Sequence, residues 1–193
     1  MICLQDWFTK NAAPAEVSGL KTEGLKLQVE LLPALVDNLV SEKRVHFRDK
    51  IDLEIEADLM NSYGAFVNVN ATELQRLLSN TINNSAKSLP DNKGKIVVSV
   101  RKTATEIVLM IKDNGKGIPK HILGELGQMG VTHGKEGTQS GSGLGVYHAK
   151  KTIESFGGSF KIDSQEGAGT SIVMSLPMAP KALRGLQVIN FTF

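Results

Sequence analysis

"EIVLMIKDNGKGIPK", residues 106–120, begins as a strand and ends in turn residues. Ile107, Leu109 and Ile111 share one side of an extended chain, and Asp113 continues that series. Its carboxylate is therefore predicted to point with the apolar face, toward whatever covers the sheet. An acceptor in that position needs a donor. The Asp-x-Gly-x-Gly that follows has two readings. Asn-Gly and Gly-Ile-Pro are ordinary turn material. Alternatively, Gly115 and Gly117 let the backbone come close to a flat ligand. In that case Asp113 would accept from the exocyclic amine of adenine and repel the carbonyl that guanine presents at the same place.

The preceding run "KIVVSVRK" (95–102) pairs naturally with "EIVLMIKD" as an antiparallel hairpin. Before it, "NATELQRLLSNTINNSAKSLP" (70–90) reads as a helix. Asn70 and Glu73 form a capping-box-like start, and Leu89-Pro90 supplies the stop. At about 100° per residue, Leu74, Leu77, Leu78, Thr81 and Ser85 fall on one broad face, and Asn80, Asn84 and Lys87 on another. Two carboxamides and an ammonium on one stripe suit a hard cation held between protein and phosphate oxygens; a solvated polar face has the same appearance. A third element, "GSGLGV" (141–146), runs into a helix and offers free N–H groups at a positive dipole end. No Gly-Lys-Ser/Thr follows, so it is not a Walker A loop, and a Rossmann fingerprint belongs after the first strand.

Around these elements the chain alternates strand and helix. "LKLQV" (25–29) reads as a short strand, Pro33 opens a helix with Leu32, Leu35, Val36 and Leu39 at helical spacing, and "IDLEIEA" (51–57) is a half-solvated strand. "AFVNV" (65–69) is another. A short helix starts near Pro119. "GVYHAKKTIESF" (145–156) is a helix stopped by Gly157-Gly158, and "SFKID" and "TSIVMSLP" complete the strands. The order mixes hairpins with helices. It predicts an α+β fold, a two-layer α/β sandwich on a mixed, largely antiparallel sheet, rather than a parallel Rossmann sheet. Residues 1–24 read as a linker or N-terminal arm, 25–178 as the domain, and 179–193 as a tail.

Composition narrows the function by exclusion. The 193 residues carry a formal charge of +2, which gives no electrostatic reason to invoke nucleic acid or an anionic membrane surface. The single Cys3 rules out an internal disulfide and fits a reducing cytoplasm. No apolar run approaches the roughly 20 residues of a membrane helix, so no membrane contact is expected of this stretch, and any anchor of a full-length protein lies outside it.

Taken in order, the three elements resemble the ATP-binding catalytic domain of sensor histidine kinases, in the GHKL superfamily with the Bergerat fold. "LLSNTINNSAKSLP" is similar to the family's N box, "DNGKGIP" to its G1 box, "GSGLGV" to its G2 box, and "GAGTSIVMSLP" (167–177) to its closing glycine and last strand. The resemblance covers about residues 25–178, and residues from about 123 to 140 correspond to an ATP lid. It implies ATP and Mg²⁺ as cofactors. Asn84 would coordinate Mg²⁺, Asn80 and Lys87 would face the phosphates as catalytic residues, and Asp113 would read adenine. Gly115 and Gly117 would shape the base pocket. Gly141, Gly143, Leu144 and Gly145 would cradle the phosphates, Thr170 would stand near Asp113, and Lys135 would be a lid cation. Two features depart from the family pattern: there is no phenylalanine pair for an F box, and Ser85 replaces an alanine.

Relatives that hydrolyse ATP carry a Glu one turn before the Mg²⁺-binding Asn, where this chain has Asn80. Without that base, transfer to a nucleophile supplied from elsewhere is favoured over attack by water. A phosphoacceptor His on a dimerisation hairpin is followed by an acidic residue, but His46, His121, His133 and His148 are followed by Phe, Ile, Gly and Ala. His133 and His148 read as surface residues. The expected partners are therefore a histidine-containing dimerisation domain elsewhere and a response regulator downstream. A nucleotide-dependent protein-binding switch or an anti-sigma-type serine kinase is the alternative.

Overall fold

The structure is a computed structural model and describes residues 26–124, 126 and 144–180. At its centre lies β5 (Glu106–Asp113), between β4 (Gly94–Lys102) and β7 (Gly169–Pro177). Ile107, Leu109 and Ile111 are buried on one side and Val108 and Met110 on the other, as a central strand requires. β2 (Leu53–Asn61) and β6 (Ser159–Gln165) are the edges of this five-stranded sheet, whose order is β2-β4-β5-β7-β6. All its pairings are antiparallel except β2 with β4. The connection between those two runs through β3 (Phe66–Val69) and α2 (Ala71–Ser88), the long crossover that a parallel pair needs. The sheet is mixed and largely antiparallel, in agreement with the sequence.

Helices cover one face in the same spatial order. α1 (Leu32–His46) packs on β2, α2 on β5, and α4 (Leu144–Ser155) on β6. The short α3 (Lys120–Leu123) follows the turn after β5. Each long helix buries the stripe its spacing announces: Leu35, Val36 and Leu39 in α1, Leu74, Leu77, Leu78 and Ile82 in α2, and Ala149 and Ile153 in α4. Full burial of each such Leu or Ile stabilises the fold by about 1.5–3 kcal/mol. Asn70 caps α2, its Oδ1 accepting from Glu73 N at 3.0 Å, while the Glu73 carboxylate turns to Arg76 instead of closing the box. No helix among the described residues is long and apolar enough to cross a membrane.

Three details differ from the sequence reading. β1 (Gln28–Leu31) starts later than "LKLQV" because its register is set by β3, from Gln28 against Val69 to Leu31 against Phe66. This pair forms a separate two-stranded sheet, extended by a bridge from Met178 to Val67. Ile51, taken as the first inward residue of a strand, is 94% exposed. It sits in a turn closed by Leu53 N donating to Lys50 O, and β2 begins only at Leu53, where pairing with Gly94 starts. The N-terminal arm and the tail from 181 onward lie outside the described residues.

On the opposite sheet face, a register irregularity between Asp58 and Asn61 lets the Arg101 side chain reach back to Asp58. Arg101 Nη1 donates to Asp58 O at 3.0 Å, and its Nη2 donates to the carboxylate. The bond from Arg101 holds the Asp58 carboxyl below the usual carboxylate range, against a smaller opposing effect of burial. A depressed folded pKa contributes stability that is present above the unfolded value, about 4, and is lost as pH falls through the folded one. Asp58→Asn is therefore expected to lower stability at pH 7 and to flatten its decline in acid. Urea unfolding from about pH 2 to pH 7 measures both, and an acid limb unchanged by the substitution would count against the assignment.

Candidate functional site

Asp113 closes β5 on the helical side and is 4% exposed. Its Oδ1 accepts from Gly115 N at 3.0 Å and lies 3.2 Å from Ser88 Oγ, which also reaches Ser85 O at 2.8 Å. Nothing among the described residues donates to Oδ2. That leaves Oδ2 with capacity for one more donor. Thr170 is the cross-strand partner of Asp113 on β7, as the sequence anticipated. Its hydroxyl shares a 2.9 Å hydrogen bond with Ser164, which also accepts from Ile118 N at 2.9 Å. Ser164 was missed at the sequence level; nothing in the local pattern of β6, SFKIDSQ, sets its hydroxyl apart from that of Ser159.

The glycines after Asp113 have a nearer reason than ligand approach. A Cβ on Gly115 would lie 2.8 Å from the Ser88 carbonyl oxygen, and one on Gly117, at φ +67°, would collide with the Gln165 carbonyl. At both glycines a Cβ would meet protein backbone. Lys116 N donates to Ser88 O at 3.0 Å, and Gly167 N donates to Lys116 O at 2.7 Å, so the loop is held between the end of α2 and the β6–β7 turn.

One turn before Ser88, Asn84 begins a polar stripe that continues through Asn80 to Arg76. These three line a cavity of about 260 Å³ between α2 and the start of α4. Its floor is Leu77, Thr81, Phe160 and Ile172, and Gly145, Val146 and His148 form the far wall. Ile172 is two residues along β7 from Thr170 and so faces the same way, which puts the cavity floor and the Asp113 cluster on one side of the sheet, although Asp113 is not among the residues lining the cavity. Lys87 is exposed and stands outside the cavity lining. Gly145 is in the first turn of α4, and nothing among the described residues lies within 4 Å of where its Cβ would be. Leu144 opens that helix, while Lys135, Gly141 and Gly143 lie outside the described residues.

His148 is exposed, as expected, but is not an idle surface residue. Arg76 Nη2 lies 3.0 Å from its Nε2, and Thr152 Oγ1 lies 3.2 Å from its Nδ1. Arg76 is anchored by Glu73 Oε2 at 2.6 Å. The 76, 80, 84 spacing was the signal that could have added Arg76 to the stripe.

The donor set fits a magnesium nucleotide better than a protein-caged metal. No group of three or more His, Cys, Asp or Glu capable of holding a metal occurs among the described residues. The cavity offers neutral amide oxygens, which suits Mg²⁺ that keeps waters and takes its other ligands from phosphates.

Residues 69–180 match the family model described as histidine kinase-, DNA gyrase B- and HSP90-like ATPase. Sporulation kinase C of Bacillus subtilis (strain 168) is 28% identical over 127 residues, covering 66% of this chain and 28% of that protein. The chain spans about a quarter of the length of such curated relatives. Among solved structures, the nucleotide-free catalytic domain of histidine kinase ThkA superposes with a TM-score of 0.68 at 20% identity, over 80% of this chain and 97% of that one. ThkA in complex with the response regulator TrrA gives 0.63 at 17% identity, over 80% and 42%.

The two kinds of glycine should separate by stability alone. Gly115→Ala is expected to cost about 1–3 kcal/mol by overpacking against Ser88. Gly145→Ala, helical and in open space, should be neutral or stabilise by up to roughly 1 kcal/mol. Chemical denaturation of both variants measures this, and equal destabilisation would contradict the distinction.

Proposed function

The chain belongs to the family of histidine kinase-, DNA gyrase B- and HSP90-like ATPases, and from that membership we propose that it binds Mg-ATP and transfers the γ-phosphoryl group to a histidine on a separate dimerisation domain, within two-component signalling. The observation that supports this reading is the placement of Asn80 and Asn84 on one cavity wall, with the carboxylate of Asp113, open to one more donor, on the same side of the sheet. Adenine would sit at the Asp113 end, its amine donating to Oδ2, with Thr170 and Ser164 completing the polar lining. Asn84 would supply an amide oxygen to Mg²⁺, and Asn80 would face the phosphates. Gly145 and the backbone of Gly141, Gly143 and Leu144 would hold phosphate oxygens at the positive end of α4. Lys87 would contribute positive charge from outside the cavity wall, and Lys135 would be a lid cation. Bound Mg²⁺ would neutralise charge on the bridging phosphate oxygens.

Asn80 cannot deprotonate water, which supports transfer to a nucleophile that needs less help. A neutral imidazole is such a nucleophile. The dimerisation domain would come from elsewhere in a longer protein or in trans, and the complex of the similar ThkA with a response regulator supports a regulator downstream. Residues 25–178 would form the catalytic unit, with 1–24 an arm and 179–193 a tail, working on the cytoplasmic side of any anchor.

A thermal shift with Mg-ADP, Mg-ATP and Mg-GTP tests the pocket. Ligand at about 100 times Kd adds roughly 2.7 kcal/mol, an upward shift of several degrees for a domain of this size. The shift is expected with adenine nucleotides only, and Asp113→Asn should remove that preference. Labelling of an added dimerisation hairpin from γ-labelled ATP then tests transfer. Binding without labelling of any such hairpin would favour a nucleotide-dependent switch.

A further inference from the structure

Arg76, Asn80, Asn84 and Ser88 follow one another at single-turn spacing along α2, a span of about 18 Å at 1.5 Å per residue. Ser88 touches Asp113, so a nucleotide with its base there and its phosphates along Asn84 and Asn80 presents its last phosphate to Arg76. Across the cavity mouth, His148 meets Arg76. Resting on the nucleotide-binding reading above, we propose that Arg76 and His148 form a proton-linked receptor for the terminal phosphate, by which the site distinguishes a nucleoside triphosphate from a diphosphate.

The hydrogen bonds set the resting state. A guanidinium only donates, and Arg76 Nη2 lies 3.0 Å from His148 Nε2 and 3.4 Å from Nδ1, so only a ring that keeps an acceptor can bond to it. Thr152 Oγ1 lies 3.2 Å from Nδ1. Protonating His148 in this state would remove the acceptor and set two cations side by side. A phosphate at the mouth reverses that balance. It takes donors from Arg76, whose Nη1 has no partner among the described residues, and it favours a cationic ring that adds a further donor.

The charged groups around His148 among the described residues are few. α2 contributes Arg76 and, behind it, Glu73. On α4, Lys151 is engaged with Glu154 at 2.9 Å and approaches Tyr147, and Lys150 is exposed. The cavity floor from β6 and β7 is apolar, Phe160 and Ile172.

The test is calorimetric titration of the whole chain with Mg-ATP and with Mg-ADP in two buffers of different ionisation enthalpy, repeated across about pH 6 to 8, the range in which imidazole titrates. Wild type is expected to take up a substantial fraction of a proton with ATP and much less with ADP. Its ATP affinity should fall as pH rises, because the complex holds the extra proton. His148→Gln keeps an acceptor for Arg76 but cannot titrate. It should abolish the difference in proton uptake between the two nucleotides, and it subtracts the nucleotides' own protonation. Arg76→Gln should weaken ATP at least fivefold more than ADP. Proton uptake equal for the two nucleotides, or variants that weaken both equally, overturns the inference and leaves the nucleotide site standing. Absence of binding by either nucleotide overturns both.

Discussion

The last turn of α2 is held against the loop leaving β5, and the geometry of the site follows from that contact. The carbonyl of Ser88, which the helix itself leaves without a partner, accepts from Lys116 N, and the Ser88 hydroxyl reaches Asp113. Because Gly115 has no side chain, the two backbones approach closely enough for both bonds to form. Lys116 then passes the constraint on through its carbonyl to Gly167 in the β6–β7 turn. Three segments far apart in sequence are thereby held in one register, and Asn84, Asp113 and Thr170 keep fixed positions relative to one another.

What could be read from the sequence were features that repeat at a local period. The parity of Ile107, Leu109, Ile111 and Asp113 placed the carboxylate on the helical side, and the spacing of α2 separated its buried face from its asparagines; both agree with the structure. What could not be read depends on partners distant in the chain. Ile51 alternates correctly for a strand, yet β2 begins only where Gly94 becomes available to pair with it. The reason for Gly115 lies in Ser88, and that for Gly117 in Gln165. His148 looks like any polar residue on an exposed helix face until α2 brings Arg76 beside it.

Burial divides the candidate site into two physically different halves. At the Asp113 end the polar groups are mostly buried and bonded to one another, so the cost of their desolvation has already been met within the fold, and Oδ2 keeps capacity for a further donor. Such an end discriminates by geometry: a donor in the right place is accepted, and an acceptor there leaves a buried carboxylate facing like charge.

The other end is built from exposed side chains on two helices, and its electrostatics are of another kind. Asn80 and Asn84 are neutral, so the charge at the mouth comes from Arg76, which Glu73 partly neutralises. Water screens these groups, and each contact is individually weak. An anion that displaces this water gains from several donors at once, and it does so without requiring the buried end to change. Position 80, one turn before Asn84, is an amide and cannot take a proton from water. On the proposed reading, a phosphate held along this stripe would meet no carboxylate from that position, which would favour handing the phosphoryl group to a nucleophile brought from outside over losing it to solvent.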